Sequence, residues 1–575
     1  MNSKYPGIQI DKNKRETVEV VMTDGTILSG PRHTPVGEFM KVYQNPGAPL
    51  IVGAIVNNDL RELTYPVSAD ATVNPINMSD SDGARIYRRS LTFLLEVAFL
   101  ELFSEWTLTI DHSVSSGAYF CHVPEQQPFK GEALDELEVR MRELVDEDAP
   151  LVREKVSLDE AKAFFRKHGQ DDKLRLLNYR HGNDLVLYEL KGKRDYHHGY
   201  MVPSTGYLRL FDLHLVGSGF VLRFPRRHAP DTLSPMKSYP SLLSTFRQYG
   251  DWLEKLGIQS VGALNDAIGE GRAAEVILVS EALHVQQVSS IANAIKKEKE
   301  KLRVILIAGP TSSGKTTFSK RLAIQLLTEG ISPFALEMDN YFVNREDTPK
   351  DSNGQYNFEH LDALNRLMLN EHIEKLIKGE RVQLRHYDFH NGINQLGEEV
   401  QLEPGQMIIL EGIHGLNPRL LEGFPPEQTF RIYVSCLTQL NLDRHNRIST
   451  TDTRELRRIL RDARDRGYTA QQTITQWENV RRGEKAHIFP YQENADVMFN
   501  SALVYELTAL KPLVEPLLRQ VPYGTKEFIE AKRLFKFLQW FVPIDPNLIP
   551  DNSILREFIG DSILKGFKIW QHRPE

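Results

Sequence analysis

Val304-Ile305-Leu306-Ile307-Ala308, followed by Gly309-Pro310-Thr311-Ser312-Ser313-Gly314-Lys315-Thr316, decides the fold of the C-terminal half of this chain. Five apolar, largely β-branched residues predict a buried parallel strand. The next eight fit G-x-x-x-x-G-K-[ST], the loop that cradles phosphate groups. Thr317-Phe318-Ser319-Lys320-Arg321-Leu322-Ala323-Ile324-Gln325-Leu326-Leu327 reads as a helix, which completes the strand–loop–helix context. The glycines let the backbone bend until its N–H groups converge on phosphate oxygens, and the helix N-terminus adds partial positive charge. Lys315 is expected to reach the β- and γ-phosphates of a nucleoside triphosphate, and the Thr316 hydroxyl to ligate Mg²⁺. Gly309, Pro310, Thr311, Ser312, Ser313, Gly314 and Thr317 complete the expected nucleotide-binding set. An ordinary Gly/Ser turn is the competing reading.

From residue 302 onward the pattern alternates strand and helix, the mark of a doubly wound parallel sheet. In such a sheet the chemistry gathers at the carboxyl ends of the strands. Phe334-Ala335-Leu336-Glu337-Met338 runs into Asp339-Asn340-Tyr341-Phe342, and Met407-Ile408-Ile409-Leu410 runs into Glu411-Gly412. Each places a carboxylate just past a strand. Phosphoryl transfer to an alcohol needs one carboxylate near the hydroxyl and another near the metal. Helix-cap or turn residues are the bland alternative. Arg454, Arg457, Arg458, Arg461, Arg464 and Arg466 crowd one helical segment at spacings of three and four. Guanidinium groups disperse the charge that builds on a transferring phosphoryl group. A solvated basic face or an RNA contact is the alternative.

The bulk numbers bound the rest. At 575 residues the chain is too long for one core, and roughly three to five domains are expected. With 41% hydrophobic and 26% charged residues the composition is that of an ordinary soluble globular protein. A net charge of −7 gives no bulk attraction to nucleic acid or anionic membrane. Cys121 and Cys436 are far apart and lack metal-ligand spacing, so a reducing compartment without a disulfide framework is expected. Met1-Asn2-Ser3-Lys4-Tyr5-Pro6 has no apolar signal-peptide core, and Leu91–Phe103 is short and carries Glu96 and Glu101. A cytoplasmic protein with no membrane partner is the expectation.

Along the chain, residues 1–76 read as a small β-rich module. Val18–Met22 alternates as a strand, Thr23-Asp24-Gly25-Thr26 is a hairpin turn, and Leu50–Val56 is a second strand. Residues 77–230 follow, with a helix over Ala84–Phe103, a charged and mostly helical Glu132–Lys167, and strand character at Leu185–Leu190 and Gly219–Pro225. Residues 231–300 form a helical connector that ends in the solvated run Lys296–Lys301. Residues 301–525 are the phosphate-loop domain, and 526–575 a helical tail. No internal repeat is visible.

The ordered motifs of residues 302–520 resemble the uridine/cytidine kinases and their phosphoribulokinase relatives. Gly309–Thr316 is similar to that family's phosphate loop. Asp339-Asn340-Tyr341-Phe342 resembles its D-S-F-Y segment, which implies that Asp339 is the general base for a ribose 5′-hydroxyl. Tyr356-Asn357-Phe358-Glu359-His360-Leu361-Asp362 resembles F-N-F-D-H-P-D, which implies base stacking by Phe358 and ribose binding by Glu359, here a longer carboxylate than the family's Asp. Tyr387-Asp388-Phe389 resembles the Y-D-F segment of the base pocket. The histidine that reads the pyrimidine edge in the family falls at Gly392, with His390 nearby. Glu411 stands at the acidic Mg²⁺ position, and Arg457-Arg458-Ile459-Leu460-Arg461-Asp462 resembles the R-R-x-x-R-D lid. The resemblance implies a catalytic set of Asp339, Lys315, Arg458 and Arg461. It implies an acceptor site of Tyr341, Phe358, Glu359, Tyr387 and His390, and a metal site of Thr316 and Glu411.

Residues 16–76 resemble a TGS domain, which implies a β-grasp-like fold. Residues 77–230 resemble the second additional domain of threonyl-tRNA synthetases, an α+β editing module. The cues are Thr23–Thr26, Arg88-Arg89-Ser90-Leu91-Thr92-Phe93-Leu94-Leu95 and Val202–Gly206. The synthetase's H-x-x-x-H and C-x-x-x-H residues fall here at Arg89, Phe93, His197 and Met201, so neither a metal-ligand set nor editing hydrolysis is expected. His197-His198 reads as a turn or surface pair. The same fusion occurs in a group of bacterial nucleoside-kinase-like proteins, which Ile488-Phe489-Pro490 and Ala495–Ser501 also resemble. The expected activity is Mg²⁺-dependent transfer of the γ-phosphoryl group of ATP (or GTP) to a nucleoside 5′-hydroxyl. Its rivals are a kinase of another small alcohol or sugar phosphate, and a nucleotide-switched RNA-binding regulator. An RNA or regulatory contact through the N-terminal modules and a homo-oligomer are the further partner expectations.

Overall fold

The computed structural model describes residues 15–567 apart from 115, 116, 351–353 and 355. The Met1–Pro6 leader reading and the last residues of the tail lie outside the described residues. The chain divides into two compact units. The first takes the described residues through Ala163, Gly182–Met236 and Pro522–Ile529. The second takes Phe164–His181, Lys237–Val521 and the described residues from Glu530 onward.

Within the first unit, Thr17–Met22 pairs antiparallel with Ile27–Pro31 and parallel with Ala71–Asn77. Ile51–Val56 and Asp59–Arg61 extend that sheet to five strands. The alternation of Thr17–Met22 buries Val18, Val20 and Met22 against Phe39 and Met40 of the helix Val36–Tyr43. The expected turn is present: Gly25 has φ +88°, and the Thr26 amide donates to Asp24 Oδ1 at 2.9 Å. A 22-residue helix, Ser81–Leu102, then packs its apolar face into a separate core with Leu137, Met141 and Leu222. Glu132–Lys167 is mostly helical, as expected, with one strand inserted. A helix, Gly131–Asp146, stops, and Val152–Ser157 forms a strand paired with Asp184–Leu190 before Leu158–Lys167 resumes the helix. Long-range strand pairing overrides local helix propensity there. Pro522–Ile529 joins this unit through the Tyr523 hydroxyl, which donates to Asn57 O at 2.9 Å.

The second unit is built on a parallel sheet. Counting its elements from residue 304, these are β1 (Val304–Ala308), α1 (Lys315–Thr328), β2 (Pro333–Glu337), α2 (Arg366–Ile377), β3 (Val382–Asp388), β4 (Ile393–Val400), β5 (Met407–Glu411), β6 (Thr429–Ser435), α3 (Thr450–Asp465), α4 (Ala470–His487), β7 (Val497–Asn500) and α5 (Glu506–Arg519). The sheet order is β2-β5-β1-β6-β7, and every neighbouring pair is parallel. β1 is central and wholly buried, which is why its sequence is an unbroken apolar run. β3 and β4 form a separate antiparallel hairpin. Before the sheet come the helices Pro240–Leu256, Val261–Gly269 and Ala273–Lys297. Asp171–Asn178 packs with this unit, where Asp172 Oδ1 receives Arg444 Nη2 at 3.1 Å. Among the described residues no helix is long and apolar enough to cross a membrane.

The arginines of α3 divide by depth. Arg454 and Arg457 are fully buried, opposite the buried carboxylates of Glu484 and Glu506, so they are not a solvated face. Substituting Arg457 by Met leaves Glu506 as an unpaired buried charge. The transition of this unit in urea, followed by tryptophan fluorescence, is expected to lose about 3–5 kcal/mol. A loss under about 1 kcal/mol, the scale of an exposed pair, would contradict a structural role.

Candidate active site

The phosphate loop turns out of β1 with Ser312 at φ +58° and Gly314 at φ +85°. Gly314 is also the N-cap of α1, and a Cβ there would lie 2.6 Å from Ile554 Cγ2, so backbone freedom and space both demand glycine. Three of the loop's carbonyls are engaged by residues from other elements. Arg454 Nε donates to Thr311 O at 2.9 Å, Arg457 Nη1 to Ser312 O at 3.4 Å, and the Ser501 hydroxyl to Ser313 O. Lys315 Nζ donates to Pro310 O at 3.2 Å. Among the described residues the buried hydroxyls of Ser312 and Ser313 have no hydrogen-bond partner. Donors without acceptors beside a helix N-terminus suit phosphate oxygens.

Three carboxylates surround Lys315. The Thr316 hydroxyl donates to Glu411 Oε2 at 3.1 Å. Burial pushes the Glu411 carboxyl up to about 7, with Lys315 opposing the rise and Asp339 adding to it. Asp339 follows β2 on a single 3₁₀ turn, Met338–Tyr341, open to solvent yet walled by protein. Burial raises its carboxyl too, again against the pull of Lys315. Glu359 is pushed up to about 7 by burial and by Glu484, while Arg458 and Lys315 hold it down. Its Oε2 has no partner among the described residues. One ammonium thus acts on Asp339, Glu359 and Glu411 together. The hydroxyl and carboxylate oxygens of Thr316 and Glu411 are the hard donors that Mg²⁺ takes, so the residues fit that ion.

Beyond Asp339 lies an aromatic wall. Phe342 makes edge contacts with Phe358, Tyr387 and Phe389 at centroid distances of 5.9, 5.6 and 6.2 Å. Phe389 remains 59% exposed, which leaves apolar ring surface open to a ligand. Phe358 and the Tyr387-Asp388-Phe389 segment are the expected base-pocket residues, and Phe342 is an addition that the sequence did not single out.

Other expected residues lie elsewhere. Tyr341, like Tyr387, is buried in the core, and its hydroxyl bonds His372 Nδ1 at 3.0 Å. A 3₁₀ turn places Asp339 and Tyr341 on different sides. His390 is exposed at the tip of the β3–β4 hairpin, its amide donating to Asp388 Oδ1 at 2.9 Å. Gly392 has φ +72°, and a Cβ there would lie 2.7 Å from Arg345 Nε, so Arg345 fills the space of the expected base-reading histidine. Arg458 Nε donates to Asp462 Oδ2 at 3.1 Å, and Arg461 Nε lies 3.7 Å from Asp462 Oδ1. A histidine trio escaped the sequence reading: His360 and His414 stand 5.2 and 6.0 Å from the His487 ring. Burial and the other two rings push His414 down to about 3. These residues are distant in sequence, and no spacing announces them.

The arrangement joins a phosphate loop, a strand-end carboxylate and a metal-type pair at the carboxyl ends of β1, β2 and β5. Residues 304–507 match the sequence model of the Phosphoribulokinase / Uridine kinase family. They form a domain of that family. The kinase-family domain is also similar to a possible uridine kinase from Bacillus stearothermophilus (20% identity, 35% of this chain, 89% of that chain, TM-score 0.24). It is similar to phosphoribulokinase from Rhodobacter spheroides (17% identity, 35% and 70%, TM-score 0.25). The N-terminal modules are similar to threonine–tRNA ligase of Burkholderia lata, 31% identical over 204 residues, or 35% of this chain. The chain spans about a third of the length of that relative, 32%.

In the synthetase-like module two of the aligned positions, Phe93 and His197, touch. Phe93 and His197 rings lie 5.1 Å apart, Arg89 Nη1 donates to Tyr200 O at 2.6 Å, and Met201 is buried. His197 corrects the surface reading: it is buried, with Nε2 3.3 Å from Glu96 Oε2.

Glu359 gives the site a pH signature. Its folded carboxyl titrates near about 7, whereas an unfolded glutamate titrates near about 4.3. Between those values the folded state holds a proton that the unfolded state has released, so stability falls as pH rises through that window. Glu359→Gln removes this loss. Its melting temperature relative to the unsubstituted protein is expected to be higher at pH 8 than at pH 5. A difference that does not change with pH would contradict the burial of that carboxyl.

Proposed function

We propose that the kinase-family domain transfers the γ-phosphoryl group of ATP (or GTP) to the 5′-hydroxyl of a nucleoside. The carrying observation is the single Lys315 ammonium facing Asp339, Glu359 and Glu411 at the mouth of the phosphate loop. The loop amides and Lys315 hold the triphosphate. Asp339 accepts a hydrogen bond from the acceptor hydroxyl and takes its proton as the new O–P bond forms and the β,γ-bridging O–P bond breaks, releasing the nucleoside diphosphate. Glu359 holds the ribose hydroxyls, and the Phe342, Phe358, Tyr387 and Phe389 wall takes the base. Arg458, which acts on Glu359, and Arg461 lie on α3 and cover the transferring group. Thr316 and Glu411 would hold Mg²⁺, which would supply positive charge against that of the triphosphate.

A second reading has one observation in its favour. Arg345 stands over Gly392, with Nη2 donating to Phe389 O at 2.7 Å, and it brings a cation to the base end of the site. That favours an acceptor alcohol with an anionic group, such as a sugar phosphate. For the N-terminal unit we propose an RNA-contacting or regulatory role, and for the whole chain a homo-oligomer in the cytoplasm.

Turnover measured by diphosphate release over a panel of nucleosides and sugar phosphates tests the acceptor. Activity on nucleosides supports the first reading, and activity on phosphorylated sugars alone replaces it with the second. Asp339→Asn is expected to lower turnover by about 10²–10⁴ while ATP still binds. Turnover near that of the unsubstituted protein would remove Asp339 from the mechanism.

A further inference from the structure

Beyond the loop itself, the phosphate site has a carboxylate seated in it. The Thr317 amide, on the first turn of α1, donates to Glu557 Oε2 at 3.1 Å. That amide is one of the helix donors left without an intrahelical acceptor, and in a phosphate loop those donors face the nucleotide's phosphates. Glu557 comes from far along the chain, on the short helix Arg556–Ile559. Its neighbours are anchored. Ser553, Ile554, Leu555 and Phe558 are fully buried, Ile554 covers Gly314, and Phe558 lies 4.9 Å from the guanidinium of Arg457. Arg464 Nη2 donates to Glu557 O at 2.9 Å and fixes the backbone. The Glu557 side chain is only partly buried, so it has room to swing while its backbone stays. Its charge is felt by Glu411 and Arg461, which places it among the groups that would handle the triphosphate.

We propose that Glu557 is a gating residue of the nucleotide site: its carboxylate takes the α1 amide that a phosphate oxygen would use, and a triphosphate binds by displacing it. The inference rests on the phosphate-loop reading above. Two anions cannot share one amide donor, and a carboxylate beside the phosphates repels them. Glu557 therefore caps α1 and weakens nucleotide affinity by the same interaction. Because the competition is for the phosphate cradle, it applies equally to a nucleoside triphosphate and to bare tripolyphosphate.

The test is calorimetric titration of the full chain and of Glu557→Gln with ATP and with inorganic tripolyphosphate. Loss of the charge is expected to tighten both ligands by between about twofold and thirtyfold, the range that a charge at a helix N-terminus produces. Unchanged or weaker binding overturns the proposal, and so does tightening of ATP without tripolyphosphate. Glu557→Asp, too short to reach the amide, is expected to tighten both ligands as well. If neither variant folds, a structure of the unsubstituted protein with ATP decides, since Glu557 left on the Thr317 amide beside bound phosphates would contradict displacement. Lys315→Ala separates the two failures. If the phosphate-loop reading is wrong, neither the unsubstituted protein nor Lys315→Ala binds ATP differently. If only the gate is wrong, Lys315→Ala loses binding while the Glu557 variants do not change it.

Discussion

The site depends on the carbonyls of one loop being held from beneath. Arg454, Arg457 and Ser501 take the carbonyl oxygens of Thr311, Ser312 and Ser313, which turns the other side of the loop toward the cleft. A cation under the loop is costly to bury, so each arginine carries its own carboxylate, Glu484 for Arg454 and Glu506 for Arg457. Glu484 is used twice, since its Oε1 also accepts the Thr311 amide at 3.2 Å. α3, α4 and α5 are therefore tied to the loop as well as to the sheet. The loop is set before any ligand arrives, the condition under which dipoles stabilise a transferring phosphoryl group without reorganising.

Electrostatics at the cleft mouth follow from that frame. Lys315 is the common opposing charge for Asp339, Glu359 and Glu411, whose carboxyls burial drives upward. A carboxyl raised toward neutrality is a better proton acceptor at the operating pH than an ordinary one. The aromatic wall and Arg345 then give the far end of the site two characters, flat and apolar beside cationic. Which of them dominates sets the acceptor.

How far the sequence could be read depended on the range of the interaction. β1, its loop and α1 are contiguous, and the apolar run of Val304–Ala308 with the glycine–lysine–threonine spacing specifies them locally. Asp339 and Glu411 were legible because strand ends in an open sheet converge. The residues beneath and around the loop were not. Arg454 and Arg457 read as phosphate contacts or a solvated face, and only the fold shows them buried against Glu484 and Glu506. Glu557, Arg345 and the His360–His414–His487 trio are brought in by tertiary packing that leaves no periodic mark. Tyr341 sits two residues after Asp339, yet a tight turn sends it into the core. In the first unit, Val152–Ser157 needed its partner Asp184–Leu190 before it could be seen as a strand.

In the N-terminal unit the positions aligned with the synthetase-like module hold Arg89, Phe93, His197 and Met201, with the Phe93 ring beside the buried His197–Glu96 pair. The most direct measurement is the fate of the γ-phosphate. The full chain is incubated with γ-labelled ATP, Mg²⁺ and a mixture of ribonucleosides, and the labelled products are separated. The account predicts label in a nucleoside 5′-monophosphate, dependent on Lys315. Label recovered only in ATP or as inorganic phosphate would contradict it.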